Sequence, residues 1–490
     1  MKKTTENRIV INNIINNYID SRKLTAFNVS VTQKLESSDD LEANEVYAAE
    51  VEKLLTFVRE ASTGDIYIYN LKGYYEKCEK WMLQALLKYI INQSGFLWKL
   101  RDEGEICAAI QRDITMTVDC FNAVNAVNFR NGVFFFDSGQ FQEGVASKYY
   151  FSYILDYDYN ENAECSTFMN FIKQTARNDD ELIAVIQEMM GYCLSTETKA
   201  EKAFFLKGNG SNGKSVLAGV MSKLCGESLT CSISLEGING HFGMSDMIGK
   251  RLNICAENES FPSSEKFKSI ISGDKMNIPV KYKNDWTGRL MIKNVFLMNS
   301  LPLTPDVTYG FFRKIIIIPF NHTVKPDEIN VNLSKELEAE LSGIFNWAYE
   351  GYKRLVSNNY NFTYSKAIDG CMKEYAEREN HTGIFFNNTY EFSEGEKIRK
   401  SDIYRNYQEW SVNNGYTTLT KNKFYSALAI KAEEDKSIKL NYIRIRGINY
   451  LKDYTYRINA DEEDNPIEKL FHHTDELDLS DLDNFVFDEN

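Results

Sequence analysis

The octet Gly208–Ser215, GNGSNGKS, stands between the apolar run AFFL (Ala203–Leu206) and the segment VLAGVMSKL (Val216–Leu224), and its reading decides the fold. Glycines at 208, 210 and 213 let successive backbone N–H groups curl around an anion, and the N-terminus of a following helix favours negative charge. The closing Gly-Lys-Ser adds the Lys214 ammonium for the outer phosphates and the Ser215 hydroxyl for a magnesium ion. Strand, glycine loop and helix, with Gly226 ending the helix, predict a phosphate-binding loop. Its residues Gly208, Asn209, Gly210, Ser211, Asn212, Gly213, Lys214 and Ser215 are expected to hold ATP with Mg2+. Kinases, transporters, motors and switches all carry such a loop, so the strands after it have to choose among them.

Three apolar runs come next: RLNICAE (Arg251–Glu257), RLMIKNVFLMNS (Arg289–Ser300) and KIIIIPF (Lys314–Phe320). Runs of this kind are what strands buried on both faces look like. The first ends in acids, where a phosphate-loop ATPase needs its second magnesium contact and its water-activating carboxylate. Glu257 is the first candidate, and Glu259 falls on the same side of an extended chain; both can alternatively cap a loop. The second run ends in Asn299, the place for a side chain that senses the outer phosphate or orients water, or else a turn residue. Arg313, just before the isoleucine run, can complete a neighbouring subunit's site or form a surface ion pair.

The order of these pieces resembles the superfamily 3 helicase core of phage, plasmid and poxvirus primase-helicases. The resemblance rests on Gly208–Ser215, HFGMSDMIGKRLNICAENE (His241–Glu259), SIISGDKMNIPVKYKND (Ser269–Asp285) and LMNSLPLTPDVTYGFFRKIIIIPF (Leu297–Phe320). Ahead of the loop, VNFRNGVFFFDSGQF, YILDYDYNENAECSTFMNFI and IQEMMGYCL match the domain that precedes the helicase in that family. The resemblance implies an AAA+-like ATPase that forms a hexameric ring on single-stranded DNA. Lys214, Ser215 and Glu257, with Ser215 and Glu257 on magnesium, would make one half of each ATP site. Asn299 would be the sensor, and Arg313 a finger acting in trans. The family's pore hairpin falls at VKYKND, where Lys281 and Lys283 could grip backbone phosphates; a solvated hairpin tip is the competing reading. An adjacent Asp-Glu pair is missing, which leaves the division of labour between Glu257 and Glu259 open. Primases of the archaeal type pair an acidic metal motif with a histidine. The first of five histidines is His241, so Asp156 and Asp158 have no such partner and no primase activity is expected.

The expected fold class is α/β, in five parts. A mostly helical α+β domain over residues 1–195 matches the preceding domain over 65–195, and an ATPase core spans 196–325. A helical lid or linker covers 326–390, a winged helix 391–458, and an acidic tail 459–490. Within residues 1–60, IVINNIINNYI and LEANEVYAAEVEKLLTFVREA show apolar positions at helical spacing. The winged helix is expected from two helical stretches, IRKSDIYRNYQEWSVNNG and TKNKFYSALAIKAEE, and a hairpin around Arg446-Gly447. Lys421, Lys423 and Lys431 on its second helix, and Lys439, Arg444, Arg446, Lys452 and Arg457 in the hairpin, interleave with Tyr442, Tyr450 and Tyr454. That pattern offers a DNA-binding face, or a charged solvent face.

Of the formal net charge of −14, Asp461–Asn490 carries −11, with twelve acids and one lysine, so the overall acidity does not exclude nucleic acid. The tail's isolated Phe and Leu residues suit a solubilising segment, a docking segment, or a mimic of DNA on the protein's own basic surface. Nine scattered cysteines form no metal-ligand spacing, and no stretch approaches the ~18 apolar residues of a membrane span. A reduced, cytoplasmic setting in a bacterial host is expected. The leading expectation is an ATP-driven DNA helicase of a mobile element, moving 3′ to 5′ on single-stranded and forked DNA. Origin duplex and host replication proteins are possible further partners. The alternative is a DNA-binding regulatory or packaging ATPase that does not separate strands.

Overall fold

The structure is a computed structural model. It describes residues 16–37, 43–95, 98–144, 147–256, 263–282, 284–302, 304, 309–325, 329–379, 381–416, 418–434 and 438–457. Its contacts divide the chain into two compact units, Met1–Glu379 and Asn380–Asn490.

The first unit opens with α1 (Ser21–Ser37) and α2 (Ala43–Leu54), which lead into β1 (Phe57–Glu60), β2 (Ile66–Tyr69) and β3 (Tyr75–Lys77). Helices α3 (Lys80–Gln93) and α4 (Leu100–Asp113) come after them, and β4 (Thr117–Val118) pairs parallel to β1 in a sheet of order β3-β2-β1-β4. The helical spacing read through LLTFVREA therefore stops at Leu54. The next residues pair with β2, because Phe57 and Val58 bury into the core only as a strand does. The apolar stripes of α1 to α4 close one core around Val31, Val51, Leu86, Ile90 and Ile110.

The hairpin of β5 (Ala126–Phe129) and β6 (Gly132–Phe135) turns at Arg130 and Asn131, and β7 (Gln140–Glu143) pairs back on β6. The segment KYYFSYILDYDYN (148–160), rich in the aromatic residues that favour strands, forms none. The buried Asn128 side-chain amide donates to the Tyr153 carbonyl at 2.8 Å, while Leu155 N–H donates to the Asn128 carbonyl at 2.8 Å. Helices α5 (Ser166–Thr175) and α6 (Asp180–Leu194) come next, the latter capped by Asp179, whose carboxylate accepts from Leu182 N–H at 3.0 Å.

The centre is an all-parallel five-stranded sheet. Its strands are β8 (Ala203–Lys207), β9 (Thr230–Cys231), β10 (Leu252–Cys255), β13 (Lys293–Met298) and β14 (Ile315–Pro319), in the order β14-β8-β13-β10-β9. Helix α7 (Lys214–Cys225) comes directly after β8. After β10 come α8 (Glu265–Ser272) and an antiparallel hairpin of β11 (Lys275–Ile278) and β12 (Trp286–Arg289). Alternation along each strand feeds two cores. Phe204, Leu206, Val295, Leu297, Ile316 and Ile318 pack on one face with α6, α7 and α9 (Leu341–Ser357). Ala203, Phe205, Phe296, Met298, Ile315 and Ile317 pack on the other with α8 and with Tyr375 of α10 (Lys366–Glu379).

The first of those cores runs without a break from Ala126 to Leu355. The expected divisions at 195 and 325 therefore do not fall between cores, and α9 is a layer of the sheet domain rather than a lid or linker. Its crossing with α6 is backbone to backbone. A Cβ on Gly191 would lie 2.2 Å from the Ala348 carbonyl and 2.7 Å from the Tyr352 nitrogen. Gly191→Val is expected to cost about 3 kcal/mol, because neither helix backbone can yield; the drop in thermal midpoint measures it.

Two buried cations head the inner strands. Arg251, next to β10, donates to the carbonyls of Ala126 (3.0 Å) and Asn122 (3.2 Å). Lys293, the first residue of β13, donates to the Ser195 carbonyl at 3.0 Å, and burial pushes its pKa down to about 8.

In the second unit, α11 (His381–Thr389), β15 (Tyr390–Arg399), α12 (Lys400–Asn413), α13 (Lys421–Glu434), β16 (Tyr442–Ile445) and β17 (Ile448–Tyr456) surround a core of Phe385, Tyr407, Phe424, Leu428 and Leu451. The sheet order is β15-β17-β16. This unit includes α11 and Tyr390, upstream of the expected start at 391, and β15 adds a strand that the two-helix-and-hairpin reading lacks. Residues 458–490, including the acidic tail, lie outside the described residues.

Candidate functional site

The Gly208–Ser215 loop leaves the C-terminal end of β8, and its neighbours β13 and β14 pin it there. Gly208 N–H donates to the Met298 carbonyl at 3.1 Å, Phe320 N–H to the Lys207 carbonyl at 2.7 Å, and Val324 N–H to the Ser211 carbonyl at 2.8 Å. The buried Asn212 amide adds a bond to the Phe320 carbonyl at 3.1 Å. Gly208 has no room for a side chain, since a Cβ would meet the Asn212 amide nitrogen at 2.2 Å and the Phe320 carbonyl at 2.4 Å. Gly213 opens α7 in the left-handed region, at φ 85°. Lys214 is buried, and its ammonium donates to the Gly208 carbonyl and to Asn212 Oδ1 at 3.1 Å. Burial lowers its pKa, which an anion beside it would reverse.

These residues line a cavity of about 390 Å³ that extends from Gly210 through Val216 to Ala256, Leu297, Met298 and Asn299. The cavity lies outside the carboxyl ends of parallel strands, the general location for ligands in such sheets. Its donor set is backbone N–H groups at a helix N-terminus plus one ammonium, which fits a polyphosphate. Asn299, exposed just beyond β13, shares the cavity with the loop. Glu257 and Glu259 lie outside the described residues; Ala256, which precedes them, is in the cavity lining.

Arg313 is elsewhere. Ile315 pairs with Ala203 and Pro319 with Lys207, so Arg313 stands at the edge where β8 begins, about 16 Å of strand from the loop. Its guanidinium is half exposed and lies 3.4 Å from Glu201. Lys314, beside it, is buried and bonded to Glu201 at 2.8 Å and to Ser272 Oγ at 2.5 Å. Arg313 thus cannot reach the phosphate loop of its own chain.

Three family models match consecutive stretches: "D5 N terminal like" over residues 64–177, a family of unknown function (DUF5906) over 206–313, and "Poxvirus D5 protein-like" over 377–466. Two viral proteins are similar in sequence. "Putative helicase L207/L206" of Acanthamoeba polyphaga mimivirus is 26% identical over 224 residues, covering 43% of this chain and 23% of the relative. "Putative helicase 121R" of Invertebrate iridescent virus 3 is 22% identical over 373 residues, covering 64% of this chain and 38% of the relative.

The two D5 family models and the two viral relatives together support a D5-like primase-helicase family. The chain spans 23% and 38% of the length of those two relatives. Among solved structures, the apo "NrS-1 C terminal region" aligns over 83% of this chain and 98% of its own, at a TM-score of 0.47 and 12% identity. Among the described residues, no helix is long and apolar enough to cross a membrane.

The expected DNA-contacting residues lie at two places. At the tip of the β11–β12 hairpin, Lys281 is exposed and its ammonium sits 5.6 Å from the ring centroid of Tyr282, which is 95% exposed at φ 61°. Lys283 lies outside the described residues. Tyr282 is a residue that sequence reasoning missed, although an aromatic between two lysines is the signal that could have found it.

In the second unit, Lys421, Lys423, Arg444 and Arg446 are all exposed, and Arg446-Gly447 makes the turn between β16 and β17 with both φ positive. Tyr454, read as part of that surface, is buried; its hydroxyl accepts from Lys439 N–H at 2.9 Å and belongs to the core. Sequence reasoning also missed Lys400, whose ammonium lies 4.3 Å from the ring centroid of Tyr425 and 4.4 Å from that of Tyr442.

Proposed function

We propose that the chain is a superfamily 3 helicase of the AAA+ type, an ATP hydrolase that moves along DNA as a hexamer during replication. The observation that carries this reading is the division of the candidate residues between two edges of one sheet. The phosphate loop and Asn299 face one cavity, and Arg313 stands at the far edge, where only a neighbouring subunit could use it. The strand order, with the loop on a central strand flanked by β13 and β14, supports the same ATPase class, and the names of the two viral relatives support a helicase.

In this reading, Lys214 and the loop N–H groups hold the β- and γ-phosphates, and Asn299 orients the attacking water. Glu257, with Glu259 as the alternative, accepts the proton of that water. Ser215 and Glu257 would hold Mg2+, which supplies charge neutralisation on the phosphates when bound. Arg313 of one subunit completes the site of the next.

Lys281 and Tyr282 would grip successive nucleotides, the ammonium on phosphate and the ring on a base. Replacing both with alanine is expected to cut strand separation about tenfold, while DNA-free ATP hydrolysis changes much less. Lys283 would reinforce the phosphate contact. The second unit would act as a winged helix on duplex, with Lys421 and Lys423 on its second helix and Arg444 and Arg446 on the wing, and origin recognition is its natural use. Movement 3′ to 5′ and contact with host replication proteins belong to the same reading.

A forked-duplex unwinding assay with Lys214→Ala as control tests the whole. ATP hydrolysis without strand separation at any salt rejects the helicase and leaves a regulatory or packaging ATPase.

A further inference from the structure

We propose that the acidic segment Asp461–Asn490 docks on the basic, aromatic face of its own second unit and competes there with DNA. The face is built from three elements. Lys400 at the start of α12 lies over the rings of both Tyr425 on α13 and Tyr442 on β16, whose centroids are 6.4 Å apart. Lys421 stands one helical turn before Tyr425, on the same side of α13. Arg444 stands two residues after Tyr442, on the same side of β16. At the end of this strand pair Ile445 and Ile448 are 38% and 42% exposed. Among the described residues, Lys421 and Arg444 of this face form no ion pair, and neither do Lys423 and Arg446 close by in the sequence, so the cations on the face have no carboxylate paired with them there.

The candidate occupant has the complementary chemistry. Asp461–Asn490 holds twelve acids against one lysine, and Leu477, Leu479, Leu482, Phe485 and Phe487 are set between the acids. Carboxylates can take the places of DNA phosphates at the lysines and arginines, and the Phe rings can stack where bases would, on Tyr442 and the exposed isoleucines. The described chain ends at Arg457, directly after β17, and β17 is the hydrogen-bonded partner of β16. A segment tethered beside its site meets it at an effective concentration on the order of millimolar, so weak contacts suffice. A string of like charges attached next to an uncompensated face of opposite sign is a built-in competitor for any polyanion, and DNA binding becomes conditional on displacing it.

The competition rests on the reading of this face as a DNA site; the docking does not, and one experiment separates them. Zero-length carbodiimide cross-linking of the full chain without DNA, followed by peptide mapping, is expected to join acids of residues 461–490 to Lys421, Lys423 or Lys400, and to lose these links at high salt. Links confined to the first unit, or to none of these lysines, overturn the proposal.

In parallel, binding of a fluorescent duplex of about 20 base pairs, long enough to cover one module, is compared between the full chain and a chain ending at Ala460. The shortened chain is expected to bind about tenfold tighter at low salt, with the difference vanishing at high salt. A synthetic 461–490 peptide should restore the weaker binding, and a scrambled peptide of equal charge should do so less well. Equal affinity of the two chains overturns the competition. A shortened chain that binds no duplex while the cross-links persist overturns the DNA-site reading instead. A full-length variant with Asp475, Asp478, Asp481 and Asp483 changed to Asn should behave as the shortened chain does, without any change in length.

Discussion

Lys214→Ala is expected to lower ATP hydrolysis about 10³-fold, with strand separation lost alongside it. In the proposed reading the residue has no substitute. Among the described residues, its ammonium is the only formal positive charge in the lining of the phosphate cavity, and it is held beneath the loop by the Gly208 carbonyl and Asn212 Oδ1. Burial disfavours that charge in the absence of an anion, so the energy of keeping an ammonium there is recovered when phosphate oxygens come beside it. Lys214→Arg should rescue little, because a planar fork does not fit a site shaped around a compact ammonium. The loop itself should survive, since its anchors to Met298 and Phe320 do not involve the lysine. Measured turnover at saturating ATP checks the prediction, and an unchanged melting temperature in the variant shows that the loss is chemical rather than structural.

Arg313→Ala is expected to reduce turnover by about 10³-fold as well, through the opposite half of the composite site. The distinguishing result comes from mixing. Each of the two variants alone is nearly inactive, but a ring assembled from both contains interfaces at which an intact Arg313 meets an intact Lys214. Activity should therefore reappear on mixing, at a fraction set by the subunit ratio. A residue that served only its ion pair with Glu201 would give no such recovery, and Glu201→Gln should then imitate the loss. That outcome would remove Arg313 from the site and with it the need for a ring.

Much of the candidate nucleotide site is legible in the sequence because its signals are local. A glycine octet between an apolar strand and a helix needs no long-range information, and the three apolar runs form β10, β13 and β14 because burial on both faces of a parallel sheet leaves no alternation to obscure them. Asn299 is found by its position at the end of one such run. The misreadings occur where pairing with a distant segment, or the capping of a distant helix, decides the outcome. β15 is polar and contains Gly395, and it exists as a strand because β17, more than fifty residues later, pairs with it. Phe57–Glu60 has helical spacing behind it and β2 ahead of it. Within the stretch expected to be helical over 326–390, the chain breaks at Glu340, whose carboxylate accepts the N–H groups of Thr167 and Phe168 at 3.0 and 2.9 Å and caps α5 instead. Lys400 escapes notice for a related reason: what makes it notable is the pair of rings beside it, and a single-residue pattern does not carry them.

The buried pair Arg251 and Lys293 bears on how such chains can be taken apart and recombined. Each cation stands at the start of a strand that ends at the candidate nucleotide cavity, and each donates to main-chain carbonyls, Arg251 to those of Asn122 and Ala126 and Lys293 to that of Ser195. A fragment beginning at residue 196 would carry both charges into a core with nothing to accept their protons, and a foreign preceding segment would have to reproduce three carbonyl positions to replace the original. The part ahead of the phosphate loop is therefore not a module that evolution or a designer can exchange at will; from about Asn122 onward it and the sheet are one heritable piece, and variation is freer at either end of it.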